Sequence, residues 1–224
     1  MKKLWVATVG ACLLALAGAS LAPAAEFRAG SYPANVLIGQ GGELAPKPPA
    51  GTGGGGGGAA ALVFGFEGAL MTSCGTAEFE GQLAAPSASL STSAVLGVCA
   101  AFGFTTATIN TNGCSYVFNA GAGSEGKSTG TVDISCPAGK VITVSGGNCE
   151  IQIGTQTGIG PISYASQTEK GAKVVTVGFE SKASLQYTKT KDGFACPLNG
   201  TGFKTDGLVV GGATAKTSSG IWIE

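Results

Sequence analysis

The chain has 224 residues, of which 13 are Lys or Arg, 13 are Asp or Glu and none is His. The charge is balanced, Arg28 is the single Arg, and the chain has no basic block interspersed with aromatic residues. These features exclude a typical nucleic-acid-binding protein. Because His is absent, the Ser-His-Asp and Cys-His triads and the His-based metal sites are excluded as well. At 44% hydrophobic composition the chain can bury a full core, as one large β domain or two small ones.

Residues 1–24 are typical of a secretory signal peptide. Lys2 and Lys3 precede an apolar run from Leu4 to Ala19, which is too short and too rich in Gly and Ala for a membrane anchor. We therefore expect no transmembrane segment once the signal is removed. Loss of the two lysines leaves 11 of the 13 basic residues against 13 acidic ones. The expected product is a near-neutral protein that is secreted, either extracellular or at the cell surface.

Seven cysteines are present, and only Cys12 lies in the predicted signal. The remaining six are an even number, which favours disulfides formed in an oxidising compartment. A structural zinc site is not expected, because the chain has no His and no Cys-x-x-Cys spacing. We predict no metal and no cofactor.

Three segments follow the signal. Residues 25–40 are predicted to form one or two strands, broken at Pro33. Residues 41–59 are rich in Pro and Gly, with six consecutive glycines from Gly53 to Gly58, and are typical of a flexible spacer. They do not form a phosphate-binding loop, which needs Lys followed by Ser or Thr after its glycines. Residues 60–224 are predicted to form a β domain that is cross-linked by disulfides, as one body or two lobes.

The strongest strand pattern lies at about residues 105–153 and predicts a five-stranded antiparallel meander. Two runs of alternating, partly β-branched residues, TTATINT and CSYVFN, flank Asn112-Gly113. This dipeptide best tolerates the positive φ angles of a type I′ hairpin turn. This turn would place Ile109 opposite Tyr116. Three further runs, TVDISC, KVITVS and NCEIQI, continue the pattern, the last two joined by a turn at Gly146-Gly147.

The predicted meander has one apolar face and one mostly polar face. Its polar face carries Asp133 and Glu150 on either side of Thr143, and a solvated surface is the interpretation we favour for it. Its apolar face needs a second layer to exclude water. The two apolar rows are Ile109, Tyr116, Ile134, Ile142 and Ile151, and Ala107, Phe118, Val132, Val144 and Cys149.

Short strands with turn signals every eight to twelve residues continue on both sides of the meander. Sustained helical periodicity is absent. The sequence therefore predicts an all-β fold, an antiparallel β-sandwich or a Greek-key barrel.

The predicted register also gives a disulfide map. Cys114 and Cys136 would be directly opposed on neighbouring strands, within bridging distance. A Cys136–Cys149 bridge would have to span about 15 Å across two strands, too far for a disulfide. Cys149 would instead reach Cys196 after the Asp192-Gly193 turn, and elimination leaves Cys74–Cys99.

Several cysteine-containing runs resemble those of a group of predicted secreted bacterial proteins that share this cysteine order. The resemblance spans most of residues 26–224. It implies export and disulfides, and it implies no activity. The runs are CGTAEFEG, VCAAFGFTTATINTNGCSYVF, VDISCPAGK, NCEIQI and KDGFACPLNGTGFKTDG.

Three residues are candidates for chemistry or binding. Glu78 and Glu80 are two apart in a predicted strand, so they share a face at about 7 Å, a separation at which paired carboxylates can hydrolyse glycosides. Two solvated glutamates on an outer face are the commoner arrangement. Trp222 could stack on a sugar ring if it points outward, although terminal strands often pack such a ring against the body.

These features favour a non-catalytic secreted or cell-surface β module, structural or ligand-binding, with no catalytic residues and therefore not an enzyme. Its partner would be a cell-envelope or extracellular polysaccharide or protein. One alternative is a secreted carbohydrate-active enzyme that uses Glu78 and Glu80, which would require both carboxylates to open into one concave pocket. Another is a carbohydrate-binding module around Trp222.

Overall fold

A computed structural model describes residues 24–39, 62–64, 72–101, 104–179, 182–193, 196 and 203–224. These residues form antiparallel strands and turns, and no helix among them is long and apolar enough to cross a membrane. The predicted signal up to residue 23 and the predicted spacer lie outside the described residues. The strands are β1 (Phe27–Ala29), β2 (Ala34–Gly39), β3 (Leu62–Phe64), β4 (Thr72–Leu83), β5 (Ser89–Ala101), β6 (Phe104–Asn110), β7 (Ser115–Ser124), β8 (Lys127–Ser135), β9 (Ile142–Gly146), β10 (Cys149–Ile153), β11 (Gln156–Glu169), β12 (Ala172–Phe179), β13 (Lys182–Lys191), β14 (Phe203–Lys216) and β15 (Ile221–Ile223).

Eight strands close into a first ring. The antiparallel pairings run β2–β4–β5–β7–β8–β11–β12–β14 and return from β14 to β2. Closure removes the unpaired edges that an open sheet would offer to other chains. The N-terminal strand β2 completes this ring, because it pairs with β4 on one side and β14 on the other.

A second ring shares three strands with the first. It runs β3–β4–β5–β6–β9–β10–β13–β14 and returns to β3. The strands β4, β5 and β14 belong to both rings. At each remaining position around the barrel, the two rings use two different strands that are consecutive in the sequence. For example, β7 lies in the first ring and β6 in the second. The all-β antiparallel fold expected from the sequence, a β-sandwich or a barrel, is confirmed, and it takes the form of a barrel. Its strands follow one another round the wall in chain order, an up-and-down arrangement.

Alternation of side chains places the core inside the wall. Along β2, for example, Val36 and Ile38 are buried while Leu37 between them is exposed. The same alternation holds in the second ring, where Ile142 and Val144 are buried on β9. Aromatic side chains fill the interior of the first ring of strands. Phe79 packs edge-on against Tyr116 at 5.2 Å and against Phe118 at 5.5 Å between ring centroids.

The expected Asn112-Gly113 hairpin is wrong, although the turn itself is present. Both residues have positive φ, and the amide of Cys114 donates to the carbonyl of Thr111 at 2.8 Å. The flanking strands nevertheless do not pair with each other in the observed registers. Instead β6 and β7 both run antiparallel to β5, along the edge that faces away from β4.

The other predicted meander contacts are partly correct. The β7–β8 register matches the expectation, with Tyr116 opposite Ile134 and Phe118 opposite Val132. In contrast, β9 pairs with β6 and β10, so the expected β8–β9 hairpin is wrong. The β9–β10 turn lies at Gly147-Asn148, which moves the register by two residues and keeps the same side chains inside.

A two-stranded ribbon formed by β1 and β15 closes one end of the first ring. Its inward side chains are almost fully buried, including Phe27 and Ile223. The Phe27 ring meets Tyr164 edge-on at 5.3 Å, and burial raises the pKa of the Tyr164 hydroxyl above its ordinary value. The ribbon is tied to the wall by hydrogen bonds from the amide of Phe27 to the carbonyl of Ser87 and between Ser166 and the backbone of Ile223.

The disulfides in the structure are the three pairs expected from the sequence. Cys74–Cys99 joins β4 to β5, and Cys114–Cys136 extends the β7–β8 ladder, each with a Cα–Cα distance of 4.0 Å. Cys149–Cys196 ties the start of β10 to the chain after β13, with a Cα–Cα distance of 5.4 Å. All three lie in the second ring or at its junction with the first.

The register makes a testable statement about the segment 40–61. Gly39 pairs with Glu78 and Leu62 pairs with Cys74, four positions along the same strand β4. Four positions of strand span about 13 Å, which three extended residues can bridge. We therefore expect a variant in which three residues replace 40–61 to fold, with stability unchanged or raised by ~1–2 kcal/mol because a shorter connection between β2 and β3 costs less entropy to close.

Thermal denaturation checks this prediction, with a one-residue replacement as the matched control. A single residue spans about 7 Å and should prevent β3 from pairing, which lowers the melting temperature. A loss of more than about 8 °C in the three-residue variant would contradict the register around β2 and β3.

Candidate functional site

Glu78 and Glu80 point outward from β4 and are exposed, because the alternate residues Ala77 and Phe79 face the core. Glu78 lies between Gly39 and Val95 on the neighbouring strands. Within the described part of the chain, neither carboxylate has a hydrogen-bond or ion-pair partner. The two side chains therefore share an exposed outer face of the barrel.

Asp133 and Glu150 are not neighbours on one outer row, which corrects the expectation from the meander. Asp133 on β8 accepts hydrogen bonds from the Asn119 side chain at 2.9 Å and from the amide of Gly158 at 2.7 Å. This carboxylate therefore fixes the backbone of β11 where its register shifts.

Glu150 lies in the second ring on β10. Its carboxylate accepts hydrogen bonds from the Lys191 ammonium at 2.6 Å and from the Thr190 hydroxyl at 2.8 Å. Donation by Lys191, and then by Thr190, holds the pKa of Glu150 below its ordinary value. This group contributes stability above the ordinary carboxyl pKa, and the contribution is lost as the pH falls through the lowered value.

Trp222 lies on the outer side of the closing ribbon and is half-buried. The side chains of β15 alternate, so Ile221 and Ile223 face the core while Trp222 faces away from it. The Lys173 ammonium lies over the indole at 4.3 Å from the ring centroid, close enough for a cation–π interaction. One face of the ring is therefore covered by a charged side chain.

Charged residues surround this ring. Arg28 is directly opposite Trp222 on β1 and makes ion pairs with Glu26 at 3.2 Å and Glu224 at 3.6 Å. The indole N–H donates to the Glu224 carboxylate at 3.4 Å. We call Arg28, Lys173, Trp222, Glu26 and Glu224 the Trp222 cluster. It combines an aromatic ring with charges of both signs, which is a composition suited to polar ligands.

Sequence reasoning identified Trp222 but not the residues around it. Arg28 and Trp222 are almost the full length of the chain apart, and only the pairing of β1 with β15 brings them together. Lys173 reaches the ring from the start of β12. The one available signal was that Arg28 is the single Arg of the chain and lies in an alternating apolar run.

No group of His, Cys, Asp or Glu in the described residues could hold a metal ion. Comparison of the chain with family models, curated proteins and solved structures finds no match.

Proposed function

We propose that this chain is a non-catalytic secreted or cell-surface β module, structural or ligand-binding. The observation that carries the proposal is the outward position of both candidate carboxylates, Glu78 and Glu80, on the exposed face of β4. The inside of the wall is lined by buried apolar side chains, which supports a scaffold role for the strands. Three disulfides are compatible with an oxidising, extracellular environment.

Export and a bacterial origin are parts of the same proposal. The signal-like segment 1–24 and the resemblance to predicted secreted bacterial proteins support them. A cell-envelope or extracellular polysaccharide or protein is the partner that suits such a location.

The absence of a carboxylate-dependent activity can be tested with a panel of glycoside, ester and peptide substrates. We expect no turnover that differs between the natural chain and a Glu78→Gln/Glu80→Gln double variant. Glu125→Gln, which removes an exposed charge from the turn after β7, is the control for charge alone. Turnover that disappears in the double variant and persists in the control would replace this proposal with the carbohydrate-active enzyme.

A carbohydrate-binding role for the Trp222 cluster is the second candidate. The half-exposed indole beside charged groups favours it, and the Lys173 ammonium over the ring opposes it because a sugar would have to displace that contact. Stacking of a sugar on the ring would change the indole environment. Trp222 is the single Trp outside residues 1–24, so its fluorescence reports on this site alone.

If the ring binds a sugar, fluorescence titration of the chain without residues 1–24 should show an emission shift with one member of a polysaccharide panel. Lys173→Ala uncovers the ring face and should tighten that binding by about 2- to 5-fold, the worth of an exposed cation–π contact. Lys127→Ala is the matched surface control. If neither the natural chain nor Lys173→Ala responds to any polysaccharide, the Trp222 cluster is not a sugar site.

A further inference from the structure

Three connections between the two rings meet at one corner of the barrel, which we call the ring junction. The connections are residues 111–114 between β6 and β7, residues 136–141 between β8 and β9, and residues 154–155 between β10 and β11. The Cys114–Cys136 disulfide joins the first connection to the second. The amide of Cys136 donates to the Thr155 hydroxyl at 3.0 Å and so ties in the third.

Asn112 joins the first two connections a second time. Its side-chain amide donates to the carbonyl of Val141 at 2.8 Å, at the far end of the connection 136–141. The backbone amide of Asn112 donates to the Asn110 side-chain oxygen at 3.0 Å. Asn112 is exposed to solvent all the same. One disulfide and one hydrogen bond therefore hold the Asn112-Gly113 turn against 136–141, and water reaches the side chain that makes the hydrogen bond.

An Asn followed by Gly can react with its own backbone, because glycine has no side chain to block the approach. The nitrogen of Gly113 attacks Cγ of Asn112, and the new C–N bond closes a five-membered succinimide. The bond from Cγ to the side-chain nitrogen breaks, and ammonia leaves with the proton that the Gly113 nitrogen gives up. Water then opens the ring at either carbonyl, which leaves aspartate or isoaspartate at position 112.

The native turn keeps the two reacting atoms apart. Asn112 has a φ of 50° and Gly113 a φ of 78°, and the amide of Cys114 donates to the carbonyl of Thr111. These are the features of a type I′ turn, whose first central residue has ψ of about +30°. At this ψ, Cβ of Asn112 points away from the next nitrogen, whereas ring closure needs the two nearly eclipsed. The attack therefore requires a rotation that breaks the turn and the contact with Val141.

We propose that Asn112 is a self-modification site controlled by the Cys114–Cys136 disulfide. The bridge starts at the residue whose amide closes the turn, so it restricts the rotation that the attack requires. When a dithiol reduces the bridge, the two sulfurs take up two electrons and two protons, and the dithiol becomes a disulfide. The turn then opens more often, and Asn112 is converted to aspartate or isoaspartate.

The conversion weakens the ring junction. A carboxylate at position 112 has no N–H to donate to the Val141 carbonyl, and it repels that oxygen. Isoaspartate also lengthens the backbone of the turn by one carbon. Renewed oxidation of Cys114 and Cys136 does not restore the lost amide, so the modification records a period without the bridge.

Peptide mass spectrometry that separates Asn, Asp and isoaspartate tests the control by the bridge in the folded full chain. With Cys114→Ser/Cys136→Ser, Asn112 should be converted about 10-fold faster than in the oxidised natural chain, because the turn opens more easily. The matched control is Cys74→Ser/Cys99→Ser, since the two bridges have sequence separations of 22 and 25 and their loss costs similar stability. In this control the rate should stay within about twofold of the natural one.

The protection by the turn has its own measurement. In denaturant, Asn112 should be converted about 30-fold faster than in the oxidised native chain, because the hydrogen bonds to Val141 and across the turn are both lost.

Amide hydrogen exchange tests the effect of the modification on the junction. In Asn112→Asp, the protection factor of the Cys114 amide should fall about 5-fold, because one supporting hydrogen bond is lost. Asn110→Asp is the matched control. It places the same charge two residues away and keeps an oxygen that accepts from the backbone amide of Asn112, so the Cys114 amide should keep its natural protection.

Three results would overturn the proposal. One is an equal acceleration in the two cysteine variants, which would mean that Asn112 reacts only when the whole barrel unfolds. Another is a natural conversion rate in Cys114→Ser/Cys136→Ser. The third is a conversion rate in the oxidised native chain that equals the rate in denaturant. Natural protection of the Cys114 amide in Asn112→Asp would refute the effect on the junction.

Discussion

The fold depends on closure of the wall. An open antiparallel sheet has two edge strands, and each of them leaves a row of unpaired backbone groups. Those rows promote association with other chains. Here the N-terminal strand β2 lies between β4 and β14 and removes both edges of the first ring. Its inward residues Val36 and Ile38 are buried at the same time, so pairing and burial favour the same position.

Two different kinds of interaction stabilise the two rings. In the first ring the interior is filled by aromatic contacts, among them Phe79 with Tyr116 and Phe27 with Tyr164, and the closing ribbon covers one end. The second ring has short strands such as β9 and β10, and the covalent bridges Cys74–Cys99 and Cys149–Cys196 lie there. Disulfides reduce the entropy of the unfolded chain, and small cores that bury little apolar surface gain most from this.

Side-chain faces could be predicted from the sequence, whereas strand neighbours could not. The buried positions of Tyr116, Ile134, Ile142 and Ile151 follow from the two-residue alternation, which holds whichever strand lies alongside. The Asn112-Gly113 turn forms as its residues dictate, but it joins two strands that both pair with β5. Local turn chemistry fixes a backbone conformation, and the partner of each flanking strand is decided by closure of the whole wall.

At the candidate site too, the face on which a side chain lies could be predicted, whereas its neighbours on other strands could not. Outward exposure of Glu78 and Glu80 follows from alternation along β4, and so does the outward position of Trp222 on β15. The contacts of Trp222 with Arg28 and Lys173 depend on strands that meet only in the closed barrel. No local pattern in the sequence encodes such contacts, because each requires the register of several intervening strands.

Closure of the barrel requires β6 and β7 both to pair with β5, and backbone NMR measures this pairing directly. Cross-strand nuclear Overhauser effects should connect Phe118 with Leu90 and Ala107 with Cys99, the pairs that place the two strands along one edge of β5. Effects that connect Ile109 with Tyr116, as in a hairpin about Asn112-Gly113, would contradict the closed double ring.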